Sequence, residues 1–172
     1  MSQYTADNAE CLVFTFKEGL LSPMAHDLKV MVTSFQINVD DATKAIDATF
    51  DATSLKVVHP MKDGQDNPTG LSDADKLKIG GQIREDVLSS AKYPQVRFQS
   101  HAVSARPDGG YDIQGDLTLH GVKKPLSAQS QQVNGSQVVE LTLNQPDFGI
   151  TPYKAMMGTL KVQANLKVRI TA

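Results

Sequence analysis

The chain has 172 residues, 40% of them hydrophobic and 21% charged, which suits one folded domain over residues 1–172 and excludes a disordered chain. Its 17 basic and 19 acidic residues leave a net charge of -2, too little positive charge for a protein that neutralises phosphates, so no nucleic-acid partner is expected. A single cysteine, Cys11, excludes an intrachain disulfide and leaves the redox compartment open.

The N-terminal stretch MSQYTADNAECLVF has neither the positive nor the apolar region of a signal peptide, and no apolar run approaches the ~20 residues of a membrane helix. As written, a cytoplasmic chain is expected, with a periplasmic one the alternative if the chain is a processed form. From Leu12 onward the dominant pattern is period-two alternation, the signature of strands with one apolar face. Leu12, Phe14 and Phe16 open it, and Leu28, Val30 and Val32 follow. The phase then slips to Phe35, Ile37 and Val39, which predicts a β-bulge near Ser34. Ile46, Ala48, Phe50 and Ala52 make a third strand.

Between Lys56 and Pro94 no strand is evident, and a structureless loop of that length is improbable. Ser72 with Asp75 has the form of a helix start, and Leu77, Ile83, Val87 and Leu88 roughly keep helical spacing. Gly80-Gly81 is expected to weaken this helix and split it. Strands resume at Val96 and Phe98, then at Tyr111, Ile113, Leu117 and Leu119, with weaker runs near Lys123 and Gln137, the latter carrying Val139, Leu141 and Leu143. Asp108-Gly109-Gly110, His120-Gly121 and Asn134-Gly135 are turn signals, and such short connections imply antiparallel neighbours. The last segment alternates most cleanly: Leu160, Val162, Ala164, Leu166, Val168 and Ile170 against polar odd positions.

The expected fold is therefore all-β with a helical insertion between the third and fourth strands. It is an eight-stranded antiparallel β-barrel, since eight half-apolar strands bury their faces best by closing. The inward phase carries small residues, namely Ala48, Ala52, Ser100, Gly115, Ala128 and Ala164. Either small and large side chains alternate to fill the interior, or the small ones leave a long apolar channel that takes an alkyl or prenyl chain and rejects polar ligands.

Several segments carry a family resemblance. AHDLKVMVTSFQ, IREDVLSSAKYPQVRFQS, YDIQGDLTLHGVKKPL and DFGITPYKAMMGTLKVQANLKVRI resemble, in order, the second strand, the helix with its Tyr-Pro step, a hairpin and the final strand of the YceI-like family. The resemblance implies an extended eight-stranded, lipocalin-like barrel enclosing a polyisoprenoid, such as a polyprenyl phosphate or a ubiquinone-like lipid, which it carries or sequesters without catalysis. It implies a ligand-lining role for Phe14, Leu28, Val30, Val32, Phe50 and Phe98, and likewise for Ile113, Leu117, Leu119, Leu141, Leu160 and Val162. Met156 and Met157 are expected near a mouth, where flexible thioethers suit an irregular tail. No cofactor is implied beyond the bound polyisoprenoid or quinone-like lipid. The implied partners are that apolar ligand and a membrane touched transiently, and a homodimer is left open. Many family members are periplasmic with a cleaved signal.

Competing chemistry has weaker signals. The four histidines, His26, His59, His101 and His120, do not converge by strand phase, so neither a metal site nor a catalytic residue is assigned. His26 falls on the inward phase and is the candidate base if the chain acts on an isoprenoid. Cys11 reads as structural, and no G-x-S-x-G, P-loop or G-x-G-x-x-G sequence is present. Lys123-Lys124, Tyr153 and Lys154 are candidates for meeting a lipid phosphate, with a solvated role as the alternative. A barrel with a filled core and no bound lipid, serving structure or interaction, is the competing function.

Overall fold

A computed structural model describes residues 1–19 and 25–172. The strands are β1 (Ser2–Thr5), β2 (Glu10–Thr15), β3 (Lys17–Glu18), β4 (Asp27–Val32), β5 (Phe35–Val39), β6 (Ile46–Asp51), β7 (Leu55–Lys62) and β8 (Gln65–Asp66). They continue after the helical segment as β9 (Gln95–Ala105), β10 (Tyr111–Leu119), β11 (Val122–Val133), β12 (Ser136–Asn144), β13 (Lys154–Ala155), β14 (Leu160–Val162) and β15 (Asn165–Thr171). The helix α1 (Asp73–Gln82) passes directly into a π turn over Ile83–Val87.

Twelve strands form one antiparallel sheet in the order β1-β5-β6-β9-β10-β11-β12-β15-β2-β4-β7-β8, and β13-β14-β3 form a small second sheet. The two ends of the large sheet are the same chain segments: β1 leads into β2, β4 into β5, and β6 into β7. The sheet therefore curls so that its ends approach one another. Backbone groups at the corner find partners there, as they must when buried. Thr33 N–H and its hydroxyl both donate to Ser54 O, at 3.3 and 2.9 Å, Ser34 N–H donates to Ser54 Oγ at 3.0 Å, and Asp51 N–H donates to Ser34 O at 3.0 Å.

This arrangement corrects several expectations. The fold is mostly β with one helix and a curled antiparallel sheet, but the large sheet has twelve strands, because each of three long segments bends and is counted at both ends and the two-residue β8 adds one more. The phase slip at Ser34 is the corner between β4 and β5. The irregular registers lie instead between Lys29 and Val30, and between Gln114 and Gly115. The segment expected to hold no strand contains β7. Its alternation is hidden by the Lys29/Val30 shift and by Pro60, which is buried in the sheet opposite Leu28 and whose carbonyl accepts from Asn67 N–H at 3.0 Å.

Ser72 caps α1 as its sequence suggests, its Oγ accepting from Asp75 N–H at 3.1 Å. Gly80-Gly81 does not split the helix. Gly80 is buried and leaves room for Arg84, whose Nη1 would lie 3.1 Å from a β-carbon at position 80 and donates to Leu55 O at 2.7 Å. The glycine thus serves the docking of α1 on β7. Leu71, Ile79, Ile83 and Leu88 pack against the main core, which contains Cys11, Leu28, Val30, Val32, Phe35, Ile37, Ala48 and Leu55. The last strand is also broken. Buried Gln145 donates from Nε2 to Gln163 O at 3.0 Å and from its backbone to Ala164 O at 2.9 Å, so Gln163 and Ala164 form a step between β14 and β15.

Candidate functional site: an apolar cavity inside the curled sheet

The concave face of the sheet encloses a cavity of about 990 Å³. That is the upper end of the size range for small-molecule pockets, ~300–1,000 Å³. Its middle is aliphatic and aromatic: Val30, Ile37, Ala48, Phe98, Ile113, Leu117, Ala128, Leu141 and Val168 all line it. Charged and titratable residues in the wall sit at strand ends, at a corner or on α1. Asp41 and Lys44 lie at the β5–β6 turn, Asp51 at the β6–β7 corner, and Lys17, His26 and Lys161 at the opposite end, with Asp75 and Lys78 on α1. Among the described residues, no buried side-chain nitrogen or oxygen lacks a hydrogen-bond partner within the protein. The wall therefore offers an apolar occupant little that it would have to desolvate without return.

The residues proposed from sequence divide cleanly. Leu28, Val30, Val32, Phe50, Phe98, Ile113, Leu117, Leu119, Leu141, Leu160 and Val162 line the cavity, and so does Met156. Phe14 does not. On β2 it is Cys11, Val13 and Thr15 that line the cavity, with Val13 in register with Val30 on one side and Val168 on the other. Phe14 is turned to the outer face, 7% exposed, beneath Lys29 Nζ and the Arg169 guanidinium at 5.9 and 5.0 Å from its ring centroid. Period-two reading cannot choose between the phases of this strand, because both are apolar and both are buried. Cation–π cover, worth on the order of 0.5–1 kcal/mol per contact at exposed sites, is what lets a phenylalanine occupy the outer one.

Met157 is outside the wall as well, fully exposed beside Met156, which is 58% exposed at the cavity rim. Ala48, Ala52 and Ala128 line the cavity as their phase suggests. Ser100, Gly115 and Ala164 do not. Ser100 Oγ accepts from Ile46 N–H at 2.7 Å, Gly115 lies under the Phe98 ring, and Ala164 belongs to the β14–β15 step. Sequence reading missed Tyr4 on β1, whose four-residue strand has too few alternations to register, and the helical residues Ile79 and Ile83, which complete the wall.

The histidines remain apart. His26 lines the cavity near its end. His59 Nδ1 lies 3.1 Å from Pro60 O and its Nε2 3.6 Å from Asp66, which also pairs with Lys29 at 2.8 Å. His120 Nδ1 lies 3.2 Å from Phe148 O, and its ring packs on Tyr93 with centroids 4.4 Å apart. His101 is exposed. Among the described residues no group of three or more His, Cys, Asp or Glu side chains is placed to hold a metal ion. Cys11, in the wall and 3% exposed, has its thiol pushed up to about 12, first by burial and then by the negative charge of Glu10. A thiol so protonated is a poor nucleophile at neutral pH. Lys123 pairs with Asp116 at 3.3 Å on the outer surface, and neither it nor Lys124 lines the cavity. Tyr153 does line it and accepts a hydrogen bond at 3.3 Å from Gln82 Nε2, which ties α1 to the segment before β13.

A curled antiparallel sheet around an apolar cavity, closed on one flank by a helix, defines a lipocalin-like fold. The model of the YceI-like domain matches residues 4–172, and the chain belongs to that family. It is 38% identical over 80 residues to a UPF0312 protein of Pseudomonas savastanoi pv. phaseolicola, a match covering 38% of this chain and 40% of that protein. It is 34% identical over 93 residues to a UPF0312 protein of Pseudomonas putida, covering 48% of each. These matches span less than half the length of the curated relatives. The fold is similar to that of Burkholderia cenocepacia BcnA, with a TM-score of 0.64, 16% identity and 96% of each chain covered. It is equally similar to a structure described as a polyisoprenoid binding domain from Saccharophagus degradans implicated in plant cell wall breakdown, with a TM-score of 0.63, 13% identity, and 99% of this chain and 94% of that chain covered.

Proposed function

We propose that this chain holds a long-chain polyisoprenoid lipid, of the polyprenyl phosphate or quinone type, in the cavity of the curled sheet, and that it carries or sequesters this lipid without transforming it. Setting aside the two-residue β8 at its edge, we read the sheet as a closed barrel of eight chain segments, three of them bent and present at both ends of the strand order. The observation that carries the proposal is the cavity itself: about 990 Å³ and lined mainly by aliphatic and aromatic side chains, with its charged groups at strand ends, at a corner and on α1. An apolar tail gains ~0.8 kcal/mol per methylene on leaving water for such a wall. The competing state is a bilayer, however, where the tail is already dry, so net capture is a small difference set by fit and by contacts at the rim. Exchange is then fast at a membrane and slow through water, which makes transient membrane contact part of the function. The solved domain described as polyisoprenoid-binding supports the same reading.

Titration with a long-chain quinone tests it. The chain has four tyrosines and no tryptophan, and Tyr4, Tyr111 and Tyr153 line the cavity. A quinone in the lumen is expected to quench tyrosine emission saturably in delipidated protein, and a polyprenyl phosphate is expected to displace it. Quenching that never saturates, or that a short polar quinone reproduces, would show that the lumen takes no isoprenoid tail.

A further inference from the structure

Leaving the cavity at the end that carries Lys17 and His26, the chain makes a sharp turn at Met156, Met157 and Gly158. Both methionines lie in the left-handed region, with φ of 52° and 58°, and Gly158 follows at 85°. The left-handed region is unfavourable for a residue with a β-carbon, which there crowds the following carbonyl oxygen. Neither methionine offsets that by burial: Met157 is fully exposed and Met156 is 58% exposed. The turn is nevertheless fixed, since Thr159 donates to Met156 O from its backbone at 3.2 Å and from its hydroxyl at 2.8 Å. Two large apolar side chains are thus held out into solvent by a defined backbone.

The turn is continuous with the cavity, because Ala155, Met156 and Leu160 all belong to the wall. An apolar path runs from the lumen to the exposed tip. Beside it, Lys154 and Lys161 are directly opposed in register on β13 and β14. Like charges facing each other across a strand pair are unfavourable. Glu18 opposes Lys161 from β3, yet among the described residues neither lysine has a carboxylate within 4.0 Å. An anionic surface would relieve that repulsion.

We propose that this turn docks the chain on a lipid bilayer carrying anionic headgroups: Met156 and Met157 insert between headgroups, Lys154 and Lys161 meet the phosphates, and the cavity mouth opens at the membrane surface. This rests on the reading that the cavity takes a membrane lipid. A second protein copy is a poor occupant, because a single turn falls well short of the ~1,000 Å² that a specific protein interface buries. Insertion into a bilayer needs no complementary surface, only apolar side chains flanked by lysines.

Flotation with vesicles of phosphatidylcholine and phosphatidylglycerol, against vesicles of phosphatidylcholine alone, tests the proposal. The full chain is expected to float with the anionic vesicles and much less with the neutral ones. The double variant Met156→Ser, Met157→Ser should partition about tenfold more weakly or worse, and Lys154→Gln with Lys161→Gln should lose most of the salt-sensitive part. Val133, 45% exposed at the β11–β12 turn, is the control, since that turn lies at the opposite end of the sheet, where Gln137 N–H meets Ala172 O. Val133→Ser should float like the parent. Failure of the parent to float, equal flotation of the methionine variant, or indifference to headgroup charge overturns the proposal. So does a dimer in light scattering that Met157→Ser abolishes, which would assign the turn to a contact between copies. The vesicles contain no isoprenoid, so flotation reports docking alone. A chain that floats but holds no isoprenoid loses its proposed cargo and keeps the docking turn.

Discussion

A β-carbon at position 115 would lie 2.6 Å from Cζ of Phe98 and 2.4 Å from Gln99 O, so the Phe98 ring lies directly over the backbone of Gly115. Phe98 lines the cavity, and its flat seat on the neighbouring strand keeps the ring against the wall and the lumen wide. Glycine in a strand interior is otherwise a weakness, and an aromatic ring covering it from the next strand is a known remedy.

Gly115→Ala should therefore push the ring inward or strain the strand, with a cost of about 1–3 kcal/mol, typical of an overpacked core. Binding of a long-chain quinone should weaken in parallel. In the double variant with Phe98→Ala the ring clash is gone, so the two losses should add to less than their sum in a double-mutant cycle. Thermal unfolding and quinone titration of the four proteins measure this, and strict additivity would show that the ring does not depend on the glycine.

Phe14→Ala separates the two faces of β2. With 7% exposure and a place outside the cavity wall, Phe14 contributes to stability and not to the lumen. The variant should lose about 3 kcal/mol of unfolding free energy, the low end for a buried phenylalanine, and keep its quinone affinity. Val13→Phe, on the opposite face of the same strand, should instead narrow the lumen and weaken binding. Loss of affinity in Phe14→Ala with unchanged stability would reverse the assigned phase.

Cys11 gives a pH dependence of defined sign. Its folded pKa is about 12 against an ordinary 9.0, raised by burial first. Between those values the unfolded chain releases the proton and the folded chain keeps it. The protonated thiol therefore contributes its full stabilisation below pH 9.0, and that stabilisation is lost as the pH rises toward 12. The slope is up to ~1.4 kcal/mol per pH unit. Cys11→Ala should remove that part of the alkaline slope, and iodoacetamide should label the folded parent far more slowly than the unfolded chain. Equal labelling of the two would place the thiol outside the packed wall.

Where one face of a strand is dry and the other wet, the sequence was readable. Leu28, Val30 and Val32 on β4, and Ile113 and Leu117 on β10, face the cavity as their alternation suggests. It was not readable where both phases are apolar, as in β2, or where one of several competing geometries fits the same letters. The phase slip at Ser34 fits a bulge and a corner equally well, and only long-range pairing of β5 with β1 and β6 distinguishes them. Gly80 reads as a helix breaker until Arg84 is seen reaching past it to Leu55 O. Ala164 alternates perfectly with its neighbours, and the Gln145 side chain that interrupts its strand comes from another element. The mouth was only half legible: Met156 and Met157 are recognisable as a flexible apolar pair, but their left-handed turn has no sequence signal except the glycine after them.

An isoprenoid lipid carried in the lumen is detected most directly by extraction. Organic extracts of the purified chain, quantified by mass spectrometry against protein, should contain about one long apolar isoprenoid per molecule. Extracts of Ala128→Phe, which places a ring in the wall opposite Ile113, should contain almost none from an equally folded protein. A parent protein free of isoprenoid, or a blocked variant that retains as much as the parent, would show that the lumen does not carry such a lipid.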